Sequence, residues 1–388
     1  MFSHFFPKII NTSEEEFQFN KEMIASSYKF AFSLFKILAK EDESCFFSPF
    51  SIYVALCLMY VGAKDETAKE IEKYLHLPPD KDKFLHSLRL FLNQLKTSKL
   101  NIVTKIFIEK SYNLKGEYKD TIKKYFDSKS KLLDLKKNNA NAEKCINSWV
   151  STKTGKKIQN IIPAGTLNKD TRLVLISAIH FKDNWLLKFD KKYTYDDVFY
   201  LNKEKSIKIP MMRITNHFNF IQKDSYKVLE LLYENKDFKM IIILPNEIEG
   251  LCKLHEDITH LNIDEIIQDL RLEKVIITLL KFKLEKYTDF NHALQILGIK
   301  TMFTHEADFS DLYDSNQEHL FVNKILHKAV IEVNEKGTEA AVSTTVSTVV
   351  PVCLRIMYEF KADHPFRFYI FYKGAILFAG KYVPIPDE

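Results

Sequence analysis

Apolar residues recur at every third or fourth position in four segments of the chain, which predicts four amphipathic helices. These segments lie at residues 24–38, 84–95, 118–126 and 146–150. Asp80 or Asp82 stands just before the second segment and predicts its N-cap, because a short acidic side chain can accept a hydrogen bond from the first free amides of a helix.

Apolar runs of strand length separate these helices and dominate the last third of the chain. The runs cover residues 101–108, 173–181, 238–244, 274–285, 320–333, 339–350 and 366–383. Lys373-Gly374 interrupts the last run and predicts a hairpin. Helices early and strands late indicate the α+β class, and not regular βαβ winding. No repeat or linker-like stretch is visible, so residues 1–388 are predicted to form a single domain.

Composition excludes several classes of function. The 46% hydrophobic and 28% charged residues are typical of a globular chain, and a net charge of +5 does not demand a nucleic-acid partner. None of the nine glycines has the spacing of a dinucleotide-binding loop, a phosphate loop or a hydrolase nucleophile elbow. No HExxH zinc motif occurs. We therefore expect no catalytic residue, no metal and no cofactor.

The five cysteines form no CxxC pair, which argues against a disulfide scaffold or a zinc finger. No apolar run reaches the roughly 18 residues of a membrane span, so no membrane partner is expected. The first residues lack a charged leader and a cleavage site, so no signal peptide is recognised. We expect a monomer.

Residues 337–352 do not fit an ordinary strand. After Glu339 no charge occurs until Arg355, and every residue from 340 to 350 is small or β-branched. A buried strand is one interpretation, but this stretch exceeds the usual strand of about five or six residues and carries many hydroxyls. The other interpretation is an exposed loop that can become a strand, with Gly337 as its hinge. One face of that strand would carry Thr338, Ala340, Val342, Thr344, Val346 and Thr348.

Motifs along nearly the whole chain resemble the serpin family. Residues 334–341 resemble the hinge of an inhibitory reactive-centre loop, and residues 360–366 resemble the segment that follows it. Further family-like motifs lie at 46–52, 58–64, 146–150, 154–156, 161–163 and 178–185. The resemblance implies three β-sheets, about eight or nine helices and an exposed loop over about 335–359. It assigns the hinge to Glu335, Gly337, Thr338, Glu339, Ala340 and Ala341.

The function that this resemblance implies is irreversible inhibition of serine proteases of the trypsin, chymotrypsin or elastase type. The protease would attack the loop with its own serine and form an acyl-enzyme. The cleaved loop would then insert into the largest sheet as a new strand and drag the protease along. The alternative is a non-inhibitory serpin with a carrier, chaperone or storage role. The small, threonine-led hinge favours inhibition, because charged or bulky residues often stand there in non-inhibitory members.

The resemblance also assigns residues that would control the opening of the sheet. They are the shutter residues Ser48, Ser51, Ser177 and His327, and the residues at the top of the sheet, Trp185, Lys281 and Glu335. Ser177 stands where the family usually has asparagine, which predicts a looser shutter. The alternative for the shutter and Trp185 is plain core packing, and for the Lys281–Glu335 pair two solvated charges, which contribute little.

Family loops usually place the reactive bond about 17 residues from the hinge glutamate, counted inclusively. Counting from Glu335 gives the bond Pro351-Val352. Proline suits few trypsin-fold proteases. Val350-Pro351 would suit an elastase pocket but is blocked by the proline after the bond, so two later bonds stay open. Leu354-Arg355 suits a chymotrypsin-like pocket, and Arg355-Ile356 suits a trypsin-like one.

A basic stretch offers at most weak polyanion binding, because a solvated helix face and loop explain it better. It consists of lysines 119, 123, 124, 129, 131, 136 and 137. Family resemblance suggests an extracellular protein, with the cytoplasm as the alternative. Asn11-Thr12-Ser13 is the single glycosylation sequon and is usable only if the chain is exported.

Overall fold

The computed structural model describes residues 14–39, 44–98, 100–254, 263–314, 318–338 and 357–384. The α-helices within these residues are α1 (Glu14–Leu38), α2 (Pro49–Tyr60), α3 (Asp65–Leu75), α4 (Lys81–Lys96), α5 (Gly116–Phe126), α6 (Asn139–Lys153), α7 (Ile263–Gln268) and α8 (Asn291–Leu297). The strands are β1 (Cys45–Phe47), β2 (Leu100–Glu109), β3 (Lys131–Leu133), β4 (Leu173–Phe181), β5 (Asp183–Asn184), β6 (Tyr195–Tyr200), β7 (Ser206–Gln222), β8 (Tyr226–Leu232), β9 (Phe238–Pro245), β10 (Arg271–Leu280), β11 (Phe282–Asp289), β12 (Lys324–Val333), β13 (Gly337–Thr338), β14 (Met357–Ala362), β15 (Phe366–Tyr372) and β16 (Ala375–Tyr382).

The strands form three sheets, and the predicted α+β class is confirmed. A nine-stranded sheet runs β1-β16-β15-β9-β8-β7-β10-β14, with β6 paired to β7. A five-stranded sheet runs β11-β12-β4-β2-β3, and a two-stranded sheet joins β13 to β5. The hinge follows β12, a strand of the five-stranded sheet, so the sheet that adjoins the loop is the five-stranded one and not the largest sheet, into which insertion is expected from the sequence.

The four helices predicted from periodicity are confirmed as α1, α4, α5 and α6. The Asp80 carboxylate accepts a hydrogen bond from the Lys83 amide, so Asp80 and not Asp82 caps α4. Helix α2 had no amphipathic signal because all of its twelve residues are buried. A helix that is apolar all round cannot be told from a buried strand by periodicity alone.

Most predicted strands are confirmed, but several boundaries differ; for example, the run 320–333 forms a strand only from Lys324, where β12 begins. The hairpin β15–β16 turns at Lys373 and Gly374, which both have positive φ. The run 274–285 was predicted as one strand, but it contains β10 and β11 of two different sheets, separated at Lys281. Strand β14 begins at Met357, so the last three residues of the loop predicted over 335–359 lie in a strand. The predicted run 339–350 lies outside the described residues.

The five-stranded sheet lies between two apolar layers. On one face Ile146 and Val150 of α6 join Val174, Ile176 and Leu326 in one buried cluster. The alternate residues of β4 and β12 point to the other face, where the main core and α2 lie. All nine residues of β4 are buried, so both faces of this strand are covered.

Candidate functional site

The centre of the site is the contact between β4 and β12, which we call the seam. The two strands are parallel and paired from Lys324–Val174 to Val330–His180. Ser177 and His327 are direct neighbours in this register. Their side chains point to the face where α2 begins, so the seam and the start of α2 meet at one place.

Local sequence explains why α2 begins beneath the seam. Ser48 has extended backbone angles and caps the helix, because its hydroxyl accepts a hydrogen bond from the Ser51 amide at 3.2 Å. Pro49 follows at the first helical position, where its missing amide hydrogen costs nothing. The Ser48 amide donates to His327 Nε2 at 3.0 Å. The cap of α2 therefore holds β12 through the histidine ring.

His327 is fully buried and neutral in this arrangement. Because Nε2 accepts from an amide, it carries no proton, so the neutral ring must carry its proton on Nδ1. Burial lowers the pKa of His327 to about 3, against a smaller opposing effect of a hydrogen bond with the Ser177 backbone. A protonated ring would lose the hydrogen bond from Ser48.

The short side chain of Ser177 makes a close contact with α2 and a longer one with His327. Its hydroxyl donates to Ser51 Oγ at 2.9 Å, whereas it lies 3.4 Å from His327 Nδ1. Ser51 Oγ lies 3.5 Å from the same nitrogen. Through its side chain, Ser177 therefore links β4 to α2 by a short hydrogen bond and reaches the histidine on β12 only at a longer distance. Whether this makes the shutter looser stays a prediction.

The chain reverses direction immediately after β12. Asn334 and Gly337 exchange two backbone hydrogen bonds, of 2.9 and 3.1 Å, and close a tight turn. After the turn, Gly337 pairs with Asn184 and Thr338 pairs with Asp183 of β5. The hinge therefore lies at the end of the seam, folded back and outside it.

Trp185, which directly follows β5, donates two hydrogen bonds to this turn. Its backbone amide donates to the Lys336 carbonyl at 2.8 Å, and its indole Nε1 donates to the Asn334 carbonyl at 3.0 Å. The ring is 1% exposed and stacks on Tyr233 with 4.4 Å between centroids. Trp185 is therefore both a buried packing residue and a direct contact of the hinge.

Glu335 and Lys281 form an ion pair at the turn, with 3.1 Å between Nζ and Oε1. The Glu335 side chain is 5% exposed, so the alternative of two solvated charges is wrong for the carboxylate. Thr194 Oγ1 donates to the same oxygen at 3.0 Å. Burial alone would raise the pKa of Glu335, but hydrogen bonds from its own backbone, Lys281 and Thr194 outweigh it and lower the pKa.

The sequence did not single out several residues of this site. Asn184, Thr194, Tyr233 and Asn334 contribute a strand pair, a hydroxyl donor, a stacking ring and a carbonyl acceptor. Asn184 and Asn334 adjoin residues that were named, so proximity could have found them. Thr194 and Tyr233 are distant in sequence and carried no signal.

Part of the predicted site cannot be placed. Glu339, Ala340 and Ala341 of the hinge, and Pro351, Val352, Leu354, Arg355 and Ile356 around the reactive bond, lie outside the described residues. Among the residues that are described, no group of three metal-ligating side chains could hold an ion. No helix of this part of the chain is long and apolar enough to cross a membrane.

Comparison with known proteins decides the family. Residues 25–385 match the family model described as serpin (serine protease inhibitor). The chain belongs to the serpin family. Human Serpin B4 is 37% identical over 380 residues, which cover 91% of this serpin and 97% of Serpin B4. The leukocyte elastase inhibitor of Xenopus laevis is 35% identical over 370 residues, with coverages of 91% and 97%.

Solved serpin structures match this serpin over almost its full length. Serpin48 of the insect Tenebrio molitor superposes with a TM-score of 0.85 at 31% identity, covering 96% of this serpin and 100% of Serpin48. The cleaved Serpin 42Da gives a TM-score of 0.85 at 33% identity, with coverages of 95% and 100%. The predicted family and fold are therefore confirmed.

Proposed function

We propose that this serpin is an irreversible suicide-substrate inhibitor of serine proteases. It would trap the acyl-enzyme by inserting its cleaved loop into the five-stranded sheet. The observation that carries the proposal is the position of the folded-back hinge at the end of a closed seam. A segment that follows this hinge has one direct route into the sheet, between β12 and β4.

The direction of the strands would favour insertion of the cleaved loop. Because the chain reverses after β12, a segment inserted beyond the hinge would run antiparallel to β12 and also to β4, which is parallel to β12. Insertion would thus exchange one parallel ladder for two antiparallel ladders. Antiparallel pairing is the more stable kind per residue, and the inserted residues gain backbone hydrogen bonds on both sides.

The residues after the hinge suit such an insertion. Residues 340–350 are small or β-branched and uncharged. Small side chains can enter between two packed layers with little displacement, and no charge has to be desolvated. β-Branched residues also favour extended backbone.

Insertion has defined obstacles in the intact protein. It must separate Ser177 from His327 and part β4 and β12 beneath α6. It must also pull Gly337 and Thr338 away from β5. These contacts keep the intact form closed until cleavage frees the end of the loop, which makes the stored free energy available at that moment.

The protease supplies all of the covalent chemistry in this proposal. Its active-site serine attacks the carbonyl carbon of the reactive bond, the bond to the following amide nitrogen breaks, and an acyl-enzyme forms. The inhibitor contributes no catalytic group. Transport of the acylated protease across the sheet would then distort its active site before water completes the hydrolysis.

Elastase-type enzymes are the first targets that we propose, because relatives of this serpin are named leukocyte elastase inhibitors. Chymotrypsin- and trypsin-type enzymes are the next. Each protease should be incubated with the intact serpin, and covalent complexes should be separated by denaturing electrophoresis. A protease whose serine has been blocked chemically is the matched control and should form none.

Complete cleavage of the loop by every protease, with no stable complex, would show that this serpin is a substrate and support a non-inhibitory role. The site of action is a separate question. We propose an extracellular one from the family resemblance, with the cytoplasm as the alternative. Glycosylation at Asn11 in natively expressed protein would support export, since the sequon is modified only in the secretory pathway.

A further inference from the structure

A cavity of about 510 Å³ opens beside β2 of the five-stranded sheet, one strand away from the seam. Its walls come from α2, α4, β2, the end of α5 and α6. Leu58, Leu92 and Phe126 contribute to an apolar floor, and Trp149 of α6 forms part of the wall. This volume lies within the usual range for small-molecule sites, about 300–1,000 Å³.

Lysines surround this apolar space. Lys96, Lys105, Lys129 and Lys153 line the cavity, and Asp127 is the one acidic residue that does so among the described residues. Asp127 pairs with Lys96 at 2.7 Å. The lining therefore carries a net charge of +3; Lys96 forms the salt bridge with Asp127, and the charges of Lys153 and Lys129 act on Asp127 from farther away and also lower its pKa.

The lysines also repel one another. Lys105 Nζ lies 4.6 Å from the centroid of the Trp149 ring, so it is held over the wall of the cavity. Burial, and then the charges of Lys131, Lys153 and Lys129, lower the pKa of Lys105. An anion among these groups would relieve that repulsion.

Two lining residues have polar atoms without a partner. Trp149 Nε1 and Thr104 Oγ1 are both buried, and neither forms a hydrogen bond within the described part of the protein. An indole N–H can only donate, and a hydroxyl can donate to an anionic oxygen. A buried polar group without a partner costs free energy, so an oxygen-rich ligand group that pairs with Trp149 Nε1, on the same face of β2 as Lys105, would gain affinity.

We propose that this cavity binds an amphiphilic monoanion, in which a carboxylate or sulfonate is attached to an aromatic or aliphatic body. The apolar body would lie over Leu58, Leu92 and Phe126, and the anionic oxygens would lie near Lys105, Lys153 and Trp149 Nε1. A sulfated polysaccharide fits less well, because a fully hydrated chain would leave the apolar floor empty. The inference goes beyond protease inhibition and can be tested without a protease.

The test compares two fluorescent probes with similar apolar bodies, anilinonaphthalene sulfonate and its neutral analogue phenylnaphthylamine. We expect a Lys105→Met, Lys153→Met double variant to weaken binding of the sulfonate at least about tenfold and that of the neutral probe less than about twofold. Trp149→Phe, which keeps an aromatic ring and removes the N–H, should weaken the sulfonate selectively. A Lys119→Met, Lys144→Met double variant is the matched control, because both lysines are exposed and neither lines the cavity.

Three results would overturn the inference. The first is unchanged sulfonate affinity in the Lys105→Met, Lys153→Met variant. The second is an equal loss in the matched control, which would indicate general surface charge. The third is stoichiometric displacement of the sulfonate by a heparin oligosaccharide while the neutral probe fails to bind, which would assign these lysines to a polyanion surface.

Discussion

Gly337 lies so close to Asn184 that a β-carbon at residue 337 would stand 2.4 Å from the Asn184 α-carbon. The obstructing atoms are backbone atoms of β5 and its neighbour, which cannot rotate away. The φ angle of Gly337 is +136°, which other residues rarely adopt. Gly337 therefore has two roles: it gives the hinge freedom to move, and it lets the closed hinge pair with β5.

The first prediction is that Gly337→Ala destabilises the intact serpin by about 1–3 kcal/mol, through both backbone strain and the clash with β5. Urea unfolding of the uncleaved protein measures this loss. Gly155→Ala is the control, because Gly155 has φ +58° but an added β-carbon there meets nothing within 4 Å. An equal loss in both variants would show that the clash is relieved elsewhere and that strain in φ alone matters.

The second prediction concerns Thr338, the first residue beyond the hinge glycine. Thr338→Arg should turn the inhibitor into a substrate, because an arginine that enters the sheet would have to be buried without a partner, at a cost of several kcal/mol. Thr338→Ser should keep the inhibitory behaviour. The ratio of stable complex to cleaved serpin, read by denaturing electrophoresis, measures the effect. Undiminished complex formation by the arginine variant would contradict insertion at this residue.

The third prediction is a pH dependence that arises from His327. Unfolded, this histidine titrates near its ordinary pKa of about 6.5, whereas burial lowers the pKa in the folded protein to about 3. Between these values the unfolded chain binds a proton that the folded chain does not. The contribution of His327 to stability is therefore complete above pH about 6.5 and is lost as the pH falls towards 3.

His327→Gln should remove that dependence. When the pH falls from 7 to 5, the parent should lose about 2 kcal/mol more of its free energy of unfolding than this variant loses. Urea unfolding at both pH values gives the difference directly. His86→Gln, at an exposed position of α4, is the control and should track the parent. A constant difference would mean that His327 is already protonated in the folded state or is not buried.

Sequence patterns predicted the helices whose apolar residues lie on one face and the strands that form a continuous apolar run. Helix α4 and strand β4 are examples, because their apolar positions are either periodic or continuous. Helix α2 was missed, since burial on every side removes the periodicity that separates helix from strand. The break between β10 and β11 was missed because the apolar run continues on both sides of Lys281. The small, uncharged run at 340–350 pointed to the hinge before it, but the run itself lies outside the described residues.

The contacts of the site were less predictable than its residues. Family resemblance named His327, Trp185 and Glu335, but only the fold shows that the Ser48 amide binds the histidine. Likewise, Thr194 reaches Glu335 from a distant part of the chain. Long-range hydrogen bonds depend on register and on the crossing of elements, which local patterns do not encode.

The fourth prediction is that nicking the loop between residues 346 and 356 raises the melting temperature sharply. Exchange of one parallel ladder for two antiparallel ladders adds on the order of ten backbone hydrogen bonds, which corresponds to a rise on the order of 10 °C or more. Calorimetry before and after limited proteolysis measures it. Nicked Thr338→Arg protein is the control and should show a smaller rise. An unchanged melting temperature would favour the non-inhibitory alternative.

The last prediction concerns the reactive bond and hence the target. Strand β12 has ten residues, so an inserted segment that begins at Thr338 needs to reach about residue 347 to line it, and the cleaved bond must lie beyond that point. All three candidate bonds satisfy this condition. Cleavage after Leu354 or Arg355 would leave three or four more residues of tether than cleavage after Pro351, and a slack tether distorts the protease less.

We therefore expect trypsin-like enzymes to cut after Arg355 and to use this serpin partly as a substrate, whereas productive trapping uses the region 351–354 with proteases that prefer apolar residues. Mass spectrometry of the C-terminal peptide released on complex formation identifies the bond. Arg355→Ala should abolish cleavage by trypsin and leave trapping of an elastase-type enzyme unchanged. A peptide that begins at Ile356 and comes from a stable complex would show that tether length does not select the bond and that the target is trypsin-like.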